Sequence, residues 1–497
     1  MISINDLIFI QNPKERTAFI NFLEKRNKRH DTRNISLYKD YLKGDEKYLL
    51  NEISSNAYNA LKKRLTDQLI AFLASNFLSS ELSAENQVIK LIAISRKLFS
   101  SNRIHTGFIL LKRAEKIALT LDHHSLLNEI YHSMIEHSHK SPKSDHVSLF
   151  KKLEKNNEQF IAQERLSVLY ASMHHQFNAG DFNILPSSLH KMYDAGLKTF
   201  GINPELALNF RSLNQLCILT DLYASQTKNY KELDLFFEDY IQELQGSDKD
   251  TEKTLGYHIE LLYGMSNIYF RKKNLIKSMF YLDQMNAQCN RYNAKIKKEW
   301  QAKHVNLLAL NYNFSGEFNK ALELINDYIT SPLIKETEKS LLNLTLFMIH
   351  FQQGNLDEAK KTKNAFKKTD AWYLKQMGNE WLFNFKAMEV LLHFDLGDDQ
   401  LAESRIHSFN RKYAIRLKHD KDNPIWPFLL LVKSILINPD LLFTEKFKEK
   451  VETSIPWKGE NEDFFNMCFY AWLKAKMIRQ SVYETTLGLL NLEDTKT

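Results

Sequence analysis

The sequence predicts an all-α fold, and three observations predict it. Turn chemistry is scarce: 14 Gly and 9 Pro in 497 residues are too few for the many tight turns of a stranded fold. Apolar residues recur three and four positions apart over long stretches, as in Leu61, Leu65, Leu69, Phe72 and Leu73. One helix, turn, helix pattern returns along most of the chain, most openly between Trp300 and Ala359. Two consecutive copies read VNLLALNYNFSGEFNKALELINDYI (305–329) and NLTLFMIHFQQGNLDEAKKTKNAF (343–366). Each runs through an apolar helix, Gly, a polar residue, a large apolar residue, two polar residues and an Ala. Gly316 and Gly354 can take the positive φ that ends the first helix. Ala321 and Ala359 carry only a methyl, so two helix backbones can approach closely there.

Composition bounds the rest. A chain of 497 residues is too long for one ordinary core and implies several domains or an elongated array. A hydrophobic fraction of 43%, with 12% aromatic residues, supports a packed interior and excludes global disorder. The net charge of +7 is a mild excess, far from that of an obligate polyanion binder. Cys217, Cys289 and Cys468 form no CxxC pair and are expected to be buried, reduced thiols in a reducing compartment. The opening residues, MISINDLIFIQNPKER, have no basic leader or small-residue cleavage site, so no secretory signal is expected. The apolar run 426–437 is too short to span a bilayer. A soluble, cytoplasmic protein is the expectation.

Taken in order, residues 1–80 form a helical, mildly basic region without the repeat pattern. Phe19, Ile20, Phe22 and Leu23 share a helical face, 25–33 is a charged connection, and 37–42 and 46–53 are short apolar segments. A long helix follows over 56–78, with Ser54 or Ser55 as its cap. Through Arg64 this region carries 13 Lys and Arg against 8 Asp and Glu, so the basic excess is local. Residues 81–415 carry the repeats. The turn mark falls at 102–107, 180–185, 229–233, 273–278, 316–321, 354–359 and 397–402. Spacings between the last residues of successive marks are 38 to 48, after a first gap of 78 that leaves room for a degenerate unit near 140–146. Residues 416–497 begin with a polar linker, RLKHDKDNP, and hold apolar helices over 428–437 and 464–490 that would cap the array. Residues 491–497 are expected to fray.

The marks resemble the tetratricopeptide repeat. Leu308, Ala309, Tyr312, Gly316, Phe318, Ala321 and Ile325 match that family's positions in one unit, and Leu346, Gly354, Leu356 and Ala359 in the next. The spacing departs from the family's 34 residues, Phe347 replaces a small residue of the first helix, and earlier units keep only fragments. The general build is also similar to bacterial repeat proteins, which implies no activity. The resemblance implies a right-handed superhelical solenoid of antiparallel helix pairs, with a helical leader before it and a cap after it.

Chemistry is sparse. His132, Glu136 and His137 have the spacing HxxxEH, which is not a zinc-protease spacing, and the neighbouring histidines read as helix-end and surface residues. No phosphate loop, GxSxG elbow or recognisable cysteine context occurs, so no catalytic residue, cofactor or metal is expected. The start of the 56–78 helix presents Asn56, Asn59, Lys62, Lys63 and Arg64. This could be a nucleic-acid face, with 25–33 on phosphates, or the solvated side of a helix whose Leu stripe docks onto the first repeat.

Stacked helix pairs bind extended segments on the surface lined by the first helix of each pair. Carried over by the Gly and Ala marks, the resemblance puts Glu260, Tyr263, Asn267 and Arg271 on one groove helix and Lys303, Asn306, Leu310 and Asn313 on the next. Met348 and Phe351 follow, then Leu391 and Phe394. The Asn amides would pair with a peptide backbone, and Arg271 with Lys303 would meet a carboxylate. The expected function is a non-enzymatic scaffold that binds a protein or peptide in this groove. The alternative is a transcriptional regulator with a DNA-binding N-terminal region and a ligand-sensing solenoid.

Overall fold

The computed structural model describes residues 4–11, 13–26, 32–43, 54–79, 84–140, 145–179, 189–227, 230, 233, 235–247, 254–292, 294–331, 334–419, 424–457, 459 and 463–491. Among them the regular structure is entirely helical. The segment 46–53, the turn mark at 180–185, most of the mark at 229–233, the break at 141–144 and the tail 492–497 lie outside the described residues. Two compact units separate at Asn157 and Glu158.

Unit 1 opens with α1 (Ile4–Phe9), α2 (Pro13–Arg26), α3 (Arg33–Lys43) and α4 (Ser55–Ser79). The α4 stripe of Tyr58, Leu61, Leu65, Leu69 and Phe72 is buried in one cluster with Phe19, Leu23, Leu37 and Tyr38. Phe19 lies edge-on to Tyr38 at 4.8 Å and against Phe72 at 5.1 Å. The Ser54 hydroxyl accepts from the Ala57 amide at 3.4 Å and caps α4, as the sequence predicts. The stripe therefore docks onto the leader's own helices, where the sequence suggested the first repeat. Helices α5 (Ala84–Ser100), α6 (Ile104–Thr120) and α7 (His124–His137) build a second cluster around Val88, Phe99, Leu111 and Ile130. Helix α8 (His146–Ala179) follows, and the division between the units falls within it.

Unit 2 continues with α9 (Leu189–Phe200), α10 (Pro204–Ala207), α11 (Phe210–Thr227) and α12 (Glu238–Leu244). Helix pairs then follow: α13 (Leu255–Arg271) with α14 (Leu275–Tyr292), α15 (Ala294–Phe314) with α16 (Phe318–Ile329), and α17 (Glu336–Gln352) with α18 (Leu356–Asn364). After an interposed α19 (Asp370–Met377) come α20 (Asn379–Asp395) with α21 (Asp399–His419). Within each pair the helices pack on each other, and the first helix also packs on the first helix of the next pair: α11 on α13, α13 on α15, α15 on α17, α17 on α20. The chain closes with α22 (Ile425–Ile437), α23 (Glu445–Ser454), α24 (Phe464–Ile478) and α25 (Val482–Asn491). Two expectations are corrected here. Helix α21 runs on through His419, into the stretch read as a polar linker, and the single helix expected over 464–490 is two, broken at Arg479 in the left-handed region (φ 56°).

The repeat mark has one backbone cause. Asn102, Lys273, Gly316, Gly354 and Gly397 all have positive φ, between 58° and 88°. In each case the next residue's N–H reaches back five residues to a carbonyl: Arg103 to Leu98 (2.8 Å), Asn274 to Tyr269 (3.0 Å), Glu317 to Tyr312 (2.8 Å), Asn355 to His350 (2.9 Å) and Asp398 to His393 (2.9 Å). This is the left-handed helix stop that satisfies orphan carbonyls, and it sends the chain straight into the second helix. Five residues after the stop sits the small residue. Ser278, Ala321, Ala359 and Ala402 have no exposed surface, and a Cβ added to Gly107 would lie 2.3 Å from the Phe99 ring. The same stop occurs at Asp122, Gly201 and Arg479, with the matching bonds from His123, Ile202 and Gln480. Those turns escaped the sequence pattern because the residues five on are Leu127, Leu206 and Glu484, none of them small.

Candidate functional site

In unit 2 the first helices of successive pairs, α13, α15, α17 and α20, pack side by side. The residues predicted to line a groove divide into a buried set and an accessible set. Met348, Phe351 and Leu391 are 2%, 5% and 2% exposed and belong to the core. The Asn306 side-chain oxygen accepts from the Thr345 hydroxyl at 2.7 Å, and the Asn313 amide donates to Gln352 Oε1 at 3.0 Å, both buried. These two amides stitch α15 to α17 and do not face an open groove, so the peptide-backbone role given to them is corrected.

Helix α24 supplies the cover. Phe464 stacks on Phe270 at 4.2 Å and leans on Phe314 at 4.3 Å. Four residues on, Cys468 Sγ accepts from the Gln352 amide at 3.0 Å. Four further, Trp472 lies edge-on to Phe394 at 5.1 Å, and its ring N–H donates to Asp395 Oδ2 at 3.2 Å. Lys476 completes the stripe with Nζ at 2.7 Å from Asp395 Oδ1. The spacing of four puts these side chains on one face of α24. Their contacts Phe270, Phe314, Gln352 and Asp395 each lie two or three residues before a left-handed stop. One face of α24 thus touches equivalent positions on successive first helices. Helix α25 adds a bond from the Tyr483 hydroxyl to the Asn313 carbonyl at 2.7 Å. The segment expected to close the end of the array also reaches back to α13, across helices that the sequence placed in an open groove.

What stays accessible is the stretch over α13 and α15. Glu260, Tyr263, Asn267 and Leu310 are partly exposed, and Lys303 is exposed. Tyr263 and Trp300 form an aromatic shelf with ring centroids 5.5 Å apart, and Lys303 Nζ lies 4.2 Å from the Trp300 centroid and 5.7 Å from that of Tyr263. Burial pushes the Tyr263 hydroxyl up to about 12, so it stays a neutral donor across the physiological range. Arg271 does not join Lys303. Its Nη1 donates to the Tyr230 hydroxyl at 2.8 Å, and Tyr230 donates to Asp221 at 3.1 Å. Burial alone would lower the Arg271 pKa, but Tyr230, Asp221 and Asp463 outweigh it and raise it. A joint Arg271 and Lys303 carboxylate clamp is therefore not formed. Trp300 was missed as a shelf residue, although its spacing of three from Lys303 placed both on one helical face.

Elsewhere the chemistry is structural. His137 stacks on Phe99 at 4.1 Å and bonds the Ser133 carbonyl at 3.0 Å. Among the described residues no three His, Cys, Asp or Glu side chains come together to hold a metal ion. The three cysteines form no disulfide, and burial raises the Cys217 and Cys468 thiols, which keeps them protonated and unreactive. No helix among the described residues is long and apolar enough to cross a membrane. In unit 1, Asn56, Asn59, Lys63 and Arg64 are exposed on α4, while Lys62 turns onto the Tyr41 ring with Nζ 5.8 Å from its centroid. Set beside known proteins, the chain matches no family model and no curated sequence. Fold and side-chain geometry therefore carry the functional reading.

Proposed function

We propose that unit 2 is a tetratricopeptide-like interaction scaffold, a right-handed solenoid of antiparallel helix pairs that binds a peptide or protein segment and catalyses no reaction. The observation that supports it most is the recurring turn: one backbone stop, followed at a fixed distance by a buried small residue, generates stacked pairs whose first helices share a face. The binding stretch in this reading is the shelf of Tyr263, Trp300 and Lys303 with Glu260, Asn267 and Leu310 around it. The α17 and α20 part of the face is occupied by α24. An aromatic shelf beneath an exposed lysine suits a segment that presents an apolar side chain next to a carboxylate.

The test is selection of a random peptide library on the intact protein, followed by calorimetric titration of the enriched peptides. Lys303→Glu and Tyr263→Ala should each weaken those peptides by about tenfold or more, the scale of a lost anchor residue. Enriched peptides indifferent to both substitutions, or no enrichment at all, would remove the reading.

A further inference from the structure

Unit 1 carries a cleft that the scaffold reading does not use. It lies between α2 and α4, measures about 380 Å³, and is lined by Arg26, Ala60, Lys63, Arg64, Asp67 and Gln68. Three cations face one carboxylate there. The Arg64 guanidinium is held in place by Asn34, whose side-chain oxygen accepts from Arg64 Nε at 3.3 Å and Nη2 at 2.9 Å. Asn34 is itself fixed by its amide, which donates to Gln68 Oε1 at 3.0 Å. Arg26 is steadied over the Phe22 ring, with Cζ 4.8 Å from the centroid. Two of the three cations are thus oriented before any ligand arrives. Ala60 on the wall leaves space between the charges. One turn N-terminal to the cleft, exposed Asn59 and Asn56 continue the Lys63 face of α4.

We infer that this cleft binds the phosphodiester backbone of nucleic acid, with Arg26, Lys63 and Arg64 on phosphate oxygens and Asn56 and Asn59 extending the contact along α4. Charge complementarity carries the assignment: three cations surround one carboxylate, and Asn34, held by Gln68, fixes where the Arg64 charge sits beside exposed Lys63. The residue set differs from the sequence expectation. Arg26 and Gln68 enter it, and Lys62, which is half-buried and does not line the cleft, leaves it. The inference is independent of the unit 2 scaffold.

The test is fluorescence anisotropy of a labelled duplex DNA of about 24 base pairs with the full chain, over a salt series. Binding should weaken steeply with salt, since each phosphate contact contributes roughly 0.9 to the slope of log K against log salt. Arg26→Glu with Lys63→Glu should lower that slope by about 2 and the affinity at least tenfold. Lys116→Glu with Lys155→Glu changes the net charge equally on exposed residues of unit 1 outside the cleft, and should leave the slope unchanged. Thermal melts by circular dichroism check that both double variants are folded. No binding by the intact chain at about 50 mM salt, where phosphate contacts are screened little, overturns the inference. Equal losses in the two double variants also overturn it, by showing that general charge rather than the cleft is responsible.

Discussion

Replacing Gly316, Gly354 and Gly397 together tests the claim that one left-handed stop generates the helix pairs. Their φ values are 88°, 72° and 75°, and a Cβ built at any of the three meets nothing within 4 Å. Steric clash with neighbours therefore contributes nothing, and the cost of alanine is that of the backbone alone. A left-handed residue with a Cβ costs roughly 1–2 kcal/mol, less what the unfolded chain loses in freedom when Gly becomes Ala, about 0.4–1 kcal/mol. About 1 kcal/mol per site remains. The sites lie in different pairs, so the effects should add to about 3 kcal/mol in the triple alanine variant. Asparagine already occupies the equivalent position at Asn102 with φ 58° and tolerates that region, so the triple asparagine variant should lose about a third as much. Urea unfolding followed by tryptophan fluorescence measures this well, because all six Trp lie in unit 2, between Trp300 and Trp472. The expected result is a lower midpoint at unchanged m, in the order wild type, asparagine, alanine. A triple alanine variant as stable as wild type, or an asparagine variant worse than alanine, would refute the turn argument.

Other residues give sharper local tests. Burial raises the Asp370 pKa, but hydrogen bonds and charge from Lys412 and Lys386 outweigh it and hold the carboxyl at about 2, below the ordinary 3.8. Its contribution is therefore full above about pH 4 and is lost as pH falls through 2. Asp370→Asn should cost on the order of 1 kcal/mol at pH 7 after discounting for solvent screening, with the difference from wild type vanishing near pH 2 in acid-unfolding curves. Trp472 is fully buried, and Trp472→Ala should cost about 3–5 kcal/mol and speed hydrogen exchange in α17 and α20, the helices under α24; unchanged exchange there would contradict the covering role. In unit 1, Gly107→Ala drives a methyl against the Phe99 ring and should cost about 1–3 kcal/mol, read as a lower thermal midpoint by circular dichroism.

Much of the architecture was legible because it is local. A left-handed stop, glycine in three cases and Asn102 or Lys273 in the others, followed by a small residue at a fixed distance lies within one short window, so the sequence showed five of the eight stops described. The stops at Asp122, Gly201 and Arg479 are followed five residues on by Leu127, Leu206 and Glu484, so they lack the small residue that made the other five stand out. Helix α19 was invisible for a related reason: its eight residues, DAWYLKQM, are too short to show a period, and the 43-residue spacing across it fell within the range set by the other marks. The basic face of α4 was legible as charge. The sequence could not show that Asn34, thirty residues away, fixes Arg64 while Tyr41 draws off Lys62.

The filling of the groove looks like the part beyond reach, since Gln352 and Cys468 lie 116 residues apart. Yet half of that information is in the helices being covered. A first helix with an open inner face must show a polar stripe among its apolar residues. In α17, ETEKSLLNLTLFMIHFQ, residues 342–349 are all buried, while α20, NEWLFNFKAMEVLLHFD, spends its polar stripe of Lys386, Glu389 and His393 on ion pairs with Asp370, Lys363, Arg405 and Asp398. By contrast α13 keeps Glu260, Tyr263 and Asn267, and α15 keeps Trp300 and Lys303, on a face that remains accessible. A helix buried on all sides requires a neighbour on all sides, so the unbroken buried run of α17 calls for a further covering element. Helix α24 meets the requirement: apolar along most of its length, with Phe464, Cys468 and Trp472 one turn apart and Lys476 placed for Asp395. The accessible stretch ends where α24 packs over α17 and α20, so burial of the first helices shows more about which positions stay open than alignment of the turn mark does.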